Sequence, residues 1–175
     1  LVPFAKKLHD LETDSMRKME AQYMLLAAYE YAGETDSALY IADELIDYAR
    51  NNNWGDEQFI FELERAQLLT ENGRSAESDE LIGDIFRKAG PDNGAADVLY
   101  FQHAINALNT GDINRAVRNL ALADSAASKL RKDDDAYYRS YSNLLNAIID
   151  FKLTGRIRLA HINSLNNRQN ERFNR

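Results

Sequence analysis

Four glycines, Gly33, Gly73, Gly111 and Gly155, stand in one recurring context, 40, 38 and 44 residues apart. Five residues after each comes a small side chain: Ala38, Ser78, Ala116 and Ala160. Four residues before come Tyr29, Leu69, Ala107 and Phe151, and seven before come Leu26, Ala66, Ala104 and Ile148. Offsets of four and seven place side chains on one face of a helix. A glycine closing such a stretch suits a left-handed C-cap, which a Cβ would strain. The small residue that follows lets a second helix approach the first. Recurrence at this period marks an internal repeat of helical hairpins.

The repeat divides the chain into units at about 15–50, 56–89, 94–130 and 135–168. Within them the pattern predicts helix pairs over 15–32 and 36–50, 56–72 and 75–89, 94–109 and 113–130, and 135–153 and 156–168. Asp36, Ser75 and Asp112 read as N-caps. Pro91-Asp92-Asn93-Gly94 and Asn51-Asn52-Asn53-Trp54-Gly55 read as linkers between units. Asp133-Asp134-Asp135 places negative charge where a helix begins. Residues 1–13, with Pro3 near a helix start, read as the remnant helix of a preceding repeat. The repeat domain then spans 14–168, and 169–175 is a tail or the start of a connector. No segment reads as a strand, and the fold class expected is all-α.

Composition excludes several classes. With 45% hydrophobic and 28% charged residues the 175-residue chain is an ordinary folded domain. It has no cysteine, so a disulfide scaffold, a thiolate zinc site and a cysteine nucleophile are out. No apolar run approaches the roughly 20 residues of a membrane span. Leu1-Val2-Pro3-Phe4 does not read as a signal peptide, and the chain is expected to be a segment of a longer protein. Charge is uneven: residues 1–90 hold 19 acidic against 9 basic side chains, while 91–175 hold 12 basic against 9 acidic. The basic tail from Lys152 lacks the aromatic and glycine features of nucleic-acid modules, so no nucleic-acid partner is expected.

No catalytic constellation emerges. His9, His103 and His161 lie in three separate predicted hairpins, without metal-ligand spacing. The acidic run 133–135 lacks the spaced ligands and glycine of a calcium loop. Carboxylate pairs such as Glu62/Glu64 and Asp43/Asp47 have no histidine or lysine in reach, and no phosphate loop, nucleophile elbow or HExxH occurs. The expectation is no catalytic residue, no cofactor and no metal. Tyr137, Tyr138 and Tyr141, with Tyr100 and Phe101, suit either recognition or packing.

Gly33-Glu34-Thr35-Asp36-Ser37-Ala38-Leu39 and Gly111-Asp112-Ile113-Asn114-Arg115-Ala116-Val117 resemble the inter-helix segment of tetratricopeptide repeats. Leu25, Tyr29, Gly33 and Ala38 fit that family's pattern, and the resemblance covers about 15–168. It departs at Arg65 and Asp79, where the family prefers apolar residues, and Trp54 lies in a linker. The resemblance implies a right-handed superhelical array of antiparallel helix hairpins, about four repeats, whose first helices line a concave peptide- or protein-binding groove. The family's offsets give Glu20, Tyr23, Ala27 and Glu30 in unit one. They give Ile60, Leu63, Gln67 and Thr70 in unit two, Val98, Phe101, Ile105 and Leu108 in unit three, and Ser142, Leu145, Ile149 and Lys152 in unit four.

The groove is thus expected to be acidic at its start and apolar later. Tyr23, Leu63, Phe101, Ile105, Leu108, Leu145 and Ile149 are its candidate partner-binding residues. They would receive an apolar peptide, a partner helix or a second copy, with self-association through the groove or the C-terminal tail. The competing expectation is that the stripe of units three and four is plain core. The acidic, cysteine-free array is also similar to extracytoplasmic input regions of bacterial membrane-bound histidine kinases and transcription regulators. That similarity implies a sensor or interaction role in signal transduction and a periplasmic rather than cytoplasmic location, with no membrane contact in this segment and a span elsewhere in the parent protein. The alternative function is an accessory or loop-borne-site domain of a helical-repeat enzyme.

Overall fold

A computed structural model describes residues 1–90, 94–129 and 136–156, apart from the side chains of residues 136 and 137. It is all-α. Eight helices occur among the described residues: α1 (Val2–Leu11), α2 (Ser15–Ala32), α3 (Thr35–Asn51), α4 (Gly55–Glu71), α5 (Ser75–Ala89), α6 (Ala96–Asn109), α7 (Ile113–Lys129) and α8 (Ala136–Thr154). No strand occurs among them. Seven of the eight expected helices and the expected N-terminal one are present. The eighth, 156–168, lies beyond Arg156 outside the described residues, as do the tail, His161 and the 133–135 run.

The turns explain the spacing of the repeat. Gly33 adopts φ +72°. Its N–H donates to the Glu30 carbonyl and that of Glu34 to the Tyr29 carbonyl, both at 2.9 Å. These two bonds satisfy carbonyls that the end of α2 would leave unpaired. Arg74 repeats the second bond to Leu69 at 2.8 Å, and Asp112 repeats it to Ala107 at 2.8 Å. Gly155 shares the left-handed conformation at φ +69°. The linker between α3 and α4 closes the same way on Asn53, at φ +57°, with Trp54 N–H donating to Ala49 at 2.9 Å. Asparagine tolerates this region better than other side-chain-bearing residues.

Two of the three expected N-caps are corrected. After Gly33, Gly73 and Gly111 the outgoing helix begins two residues later, so the capping position is the residue directly after the glycine. In the first turn that residue is Glu34, whose carbonyl accepts from Ala38 N–H at 3.0 Å, and Asp36 lies inside the first turn of α3. In the second it is Arg74, whose carbonyl accepts from Ser78 N–H at 3.1 Å, so Ser75 is already helical. Only Asp112 holds the position, and its Oδ1 accepts from Arg115 N–H at 2.9 Å.

The fold divides into two units, the first ending at Ile85 and the second starting at Phe86. In the first, α1, α2, α3 and α4 pack consecutively. Tyr48 near the end of α3 donates its hydroxyl to the Ser15 carbonyl at the start of α2, at 3.3 Å, so the two helices run antiparallel. The core holds Leu26, Tyr29, Ala38, Leu45 and Leu69, all buried. In the second, α7 packs against both α6 and α8 around Ala104, Ala107, Ala116, Leu120, Leu145 and Ile149.

The small positions Ala38, Ser78 and Ala116 are all 0% exposed, which is what close approach of paired helices requires. Serine serves at one of them because its hydroxyl donates to the Ala66 carbonyl on α4 at 2.8 Å, satisfying a polar group that burial would otherwise penalise. Arg65 finds Asp43 on α3 at 2.6 Å.

Candidate partner-binding site

The groove positions of the first unit lie on α2 and α4, and both helices present them at the surface. Tyr23 is 38% exposed and Ile60 51%, Glu20, Ala27 and Glu30 are exposed, and Leu63 and Gln67 are half-buried. Thr70 is the exception. It is buried, with its hydroxyl 2.9 Å from both the Ala66 carbonyl and Ser78 Oγ. The ring of Tyr23 lies 5.9 Å from that of Phe61, which ties α2 to α4 across the face.

The electrostatics of this face are one-sided. Burial pushes the Glu64 carboxyl above its ordinary range, and the charges of Glu30 and Glu71 push it further. Burial and Glu71 do the same to Glu30. The Tyr23 phenol is raised by burial and then by Glu64 and Glu30. Among the described residues the charges that shift these groups are carboxylates, and like charges crowded together disfavour ionisation. Glu64 and Glu71 escaped the sequence-based groove positions. The available signal was their spacing: Glu64 stands four residues after Ile60 and Glu71 four after Gln67, which places all four on one helix face.

Apart from the exposed Lys152, the groove positions of the second unit are taken up by internal packing. Leu108 (5% exposed), Leu145 (6%) and Ile149 (4%) belong to its core, and Phe101 and Ile105 pack partly buried against it. Tyr138 and Tyr141 place their rings 6.0 and 6.2 Å from that of Phe101, the latter edge-on. Tyr138 also donates to Asp124 at 2.8 Å, as Ser142 does at 2.9 Å. Burial first, then that hydrogen bond and the Asp124 charge, raise the Tyr138 phenol. The expected stripe is therefore a set of inter-helix contacts within the unit. Of the apolar side chains that α8 exposes, Tyr141, Leu144, Ile148 and Phe151 recur at helical spacing on a neighbouring face, and Leu153 is exposed beside them.

The histidines stand apart. His103 is half-buried, its ring parallel to that of Phe86 at 5.9 Å, and His9 lies on α1. Among the described residues no group of three or more His, Cys, Asp or Glu side chains is placed to hold a metal ion. No helix among them is long and apolar enough to cross a membrane.

The fold and this face together define an all-α chain of helical hairpins with an acidic, partly aromatic surface on its first unit. No protein-family model matches the chain, and neither curated proteins nor solved structures yield a match.

Proposed function

We propose that the chain is a non-catalytic helical-repeat module that binds a peptide or protein partner, and that the α2/α4 face of the first unit is its binding surface. The observation that carries this reading is the set Glu30, Glu64 and Glu71, whose repulsion no cation among the described residues relieves, beside the exposed Tyr23 and Ile60. A basic segment bearing an apolar side chain complements both features. It would relieve the repulsion and cover apolar surface in one step. Such a partner is also the kind that helical hairpins receive on an exposed helix face.

The finer reading is a divergent tetratricopeptide-like array. Its support is the recurring left-handed turn at Gly33, Gly73 and Gly111, followed each time by a fully buried small residue. A place in the extracytoplasmic region of a bacterial signalling protein rests on the acidic, cysteine-free composition.

Amide chemical-shift mapping tests the function. A lysine-containing amphipathic peptide titrated into the chain should shift resonances of Tyr23, Ile60, Glu64 and their neighbours. Shifts scattered over both units, or none, would remove the assignment.

A further inference from the structure

A cleft of about 440 Å³ opens in the first unit between the end of α1, the first half of α2 and the second half of α3. Met19 and Gln22, both buried, form part of its lining. The basic and acidic side chains around it are segregated by element. His9 and Lys18 come from α1 and α2, while Glu44 and Asp47 come from α3.

Glu44 is fixed before any ligand arrives. Gln22 Nε2 donates to its Oε2 at 2.8 Å, and the Tyr40 hydroxyl donates to its Oε1 at 2.7 Å. Each carboxylate oxygen keeps capacity for a further donor. Asp47 accepts from Arg50 at 2.7 Å through Oδ1. The Gln22 carbonyl accepts no hydrogen bond among the described residues although that side chain is only 9% exposed, and Lys18 makes no ion pair among them.

We propose that this cleft binds a small zwitterion of the α-amino-acid class, its ammonium group toward Glu44 and Asp47 and its carboxylate toward Lys18. A ligand carrying a single charge would pair with one sign of this lining only. A zwitterion answers both. The volume falls within the roughly 300–1,000 Å³ of small-molecule sites, and a carboxylate already held by two hydrogen bonds loses little freedom when the ligand arrives. The Gln22 carbonyl keeps its acceptor capacity for a third ammonium hydrogen. The site shares α2 with the peptide-binding face but none of its residues, so it stands or falls independently.

The test is calorimetric titration of the full chain with glycine, L-serine and L-glutamate at up to millimolar concentration, each beside its methyl ester and its N-acetyl derivative. At least one free amino acid should bind, and blocking either end should weaken it tenfold or more. Lys18→Met should bring the free amino acid down to the affinity of its ester, and Glu44→Gln to that of its acetylated form. The Gln22 side-chain amide resonance of the unaltered protein should move on binding. Absence of heat and of any Gln22 shift with all three amino acids would overturn the proposal, and so would blocked derivatives that bind as well as the free ones.

Discussion

The ring of Tyr23 on α2 lies 5.9 Å from that of Phe61 on α4, tilted by 39°. One partner is buried and the other is more than a third exposed. The pair thus joins two helices through its inner member and leaves an aromatic surface on its outer one. Around that surface stand Glu30 and Glu64, close enough to raise the Tyr23 phenol.

The crowding of carboxylates carries a pH signature. Glu30 and Glu64 have raised values in the fold relative to 4.5. The folded state therefore holds their protons to higher pH than the unfolded chain does, and their ionisation costs stability at neutral pH. That cost is fully present above the raised values and fades as the pH falls toward the ordinary one. Glu64→Gln should stabilise the fold at pH 7 by less than about 1 kcal/mol, since the groups are partly solvated, and so raise the melting temperature. Near pH 4.5 the difference between the two proteins should shrink. Paired thermal melts at the two pH values check this.

Ala116 is fully buried where α7 meets α6. Ala116→Phe should overpack this contact and cost about 1–3 kcal/mol. Chemical denaturation reads the loss as a lower midpoint. An unchanged midpoint would mean that the small residue five places after the turn glycine has no packing role.

Asp112 caps α7 whereas Asp36 sits one residue inside α3. Asp112→Ala should therefore cost about 1 kcal/mol. Asp36→Ala should cost only the charge–dipole contribution, about 0.3–1 kcal/mol, and that part should vanish at high salt. Denaturation of both variants in low and high salt separates the two mechanisms.

The helices were legible because their signals are local. Glycines at regular spacing, apolar positions four and seven residues earlier and a small residue five later are written on single elements. The caps at Asp36 and Ser75 were misplaced by one or two residues, because the turn geometry decides whether the residue one or more places after glycine holds the capping position. Asn53 showed only as part of a linker, though it takes the left-handed role that glycine takes elsewhere. The groove was half legible. Carried offsets located Tyr23, Glu30 and Ile60 on an exposed face, but they cannot tell an open stripe from packed core. That depends on how far neighbouring helices close over it, as they do over Leu108, Leu145 and Ile149. Glu64 and Glu71 share a helix face with Ile60 and Gln67, four residues earlier, but stand one position after Leu63 and Thr70, which the carried offsets selected.

Ile149 is 4% exposed and Phe101 is packed against the same core. The double variant Phe101→Asp, Ile149→Asp should bury charge without a partner, at a cost on the order of several kcal/mol. Circular dichroism should show loss of helix and of the cooperative melt. A variant that keeps both would return these residues to the candidate binding surface.

The central claim is that the α2/α4 face selects a basic partner. Fluorescence anisotropy with two labelled peptides of equal length and equal apolar content, one lysine-rich and one glutamate-rich, tests it most directly. The lysine-rich peptide alone should bind, and its binding should weaken as salt is added. The Glu30→Gln, Glu64→Gln double variant should lose tenfold or more in affinity while its melting temperature stays at or above that of the unaltered chain. Equal binding of the two peptides, or undiminished binding by the double variant, would contradict it.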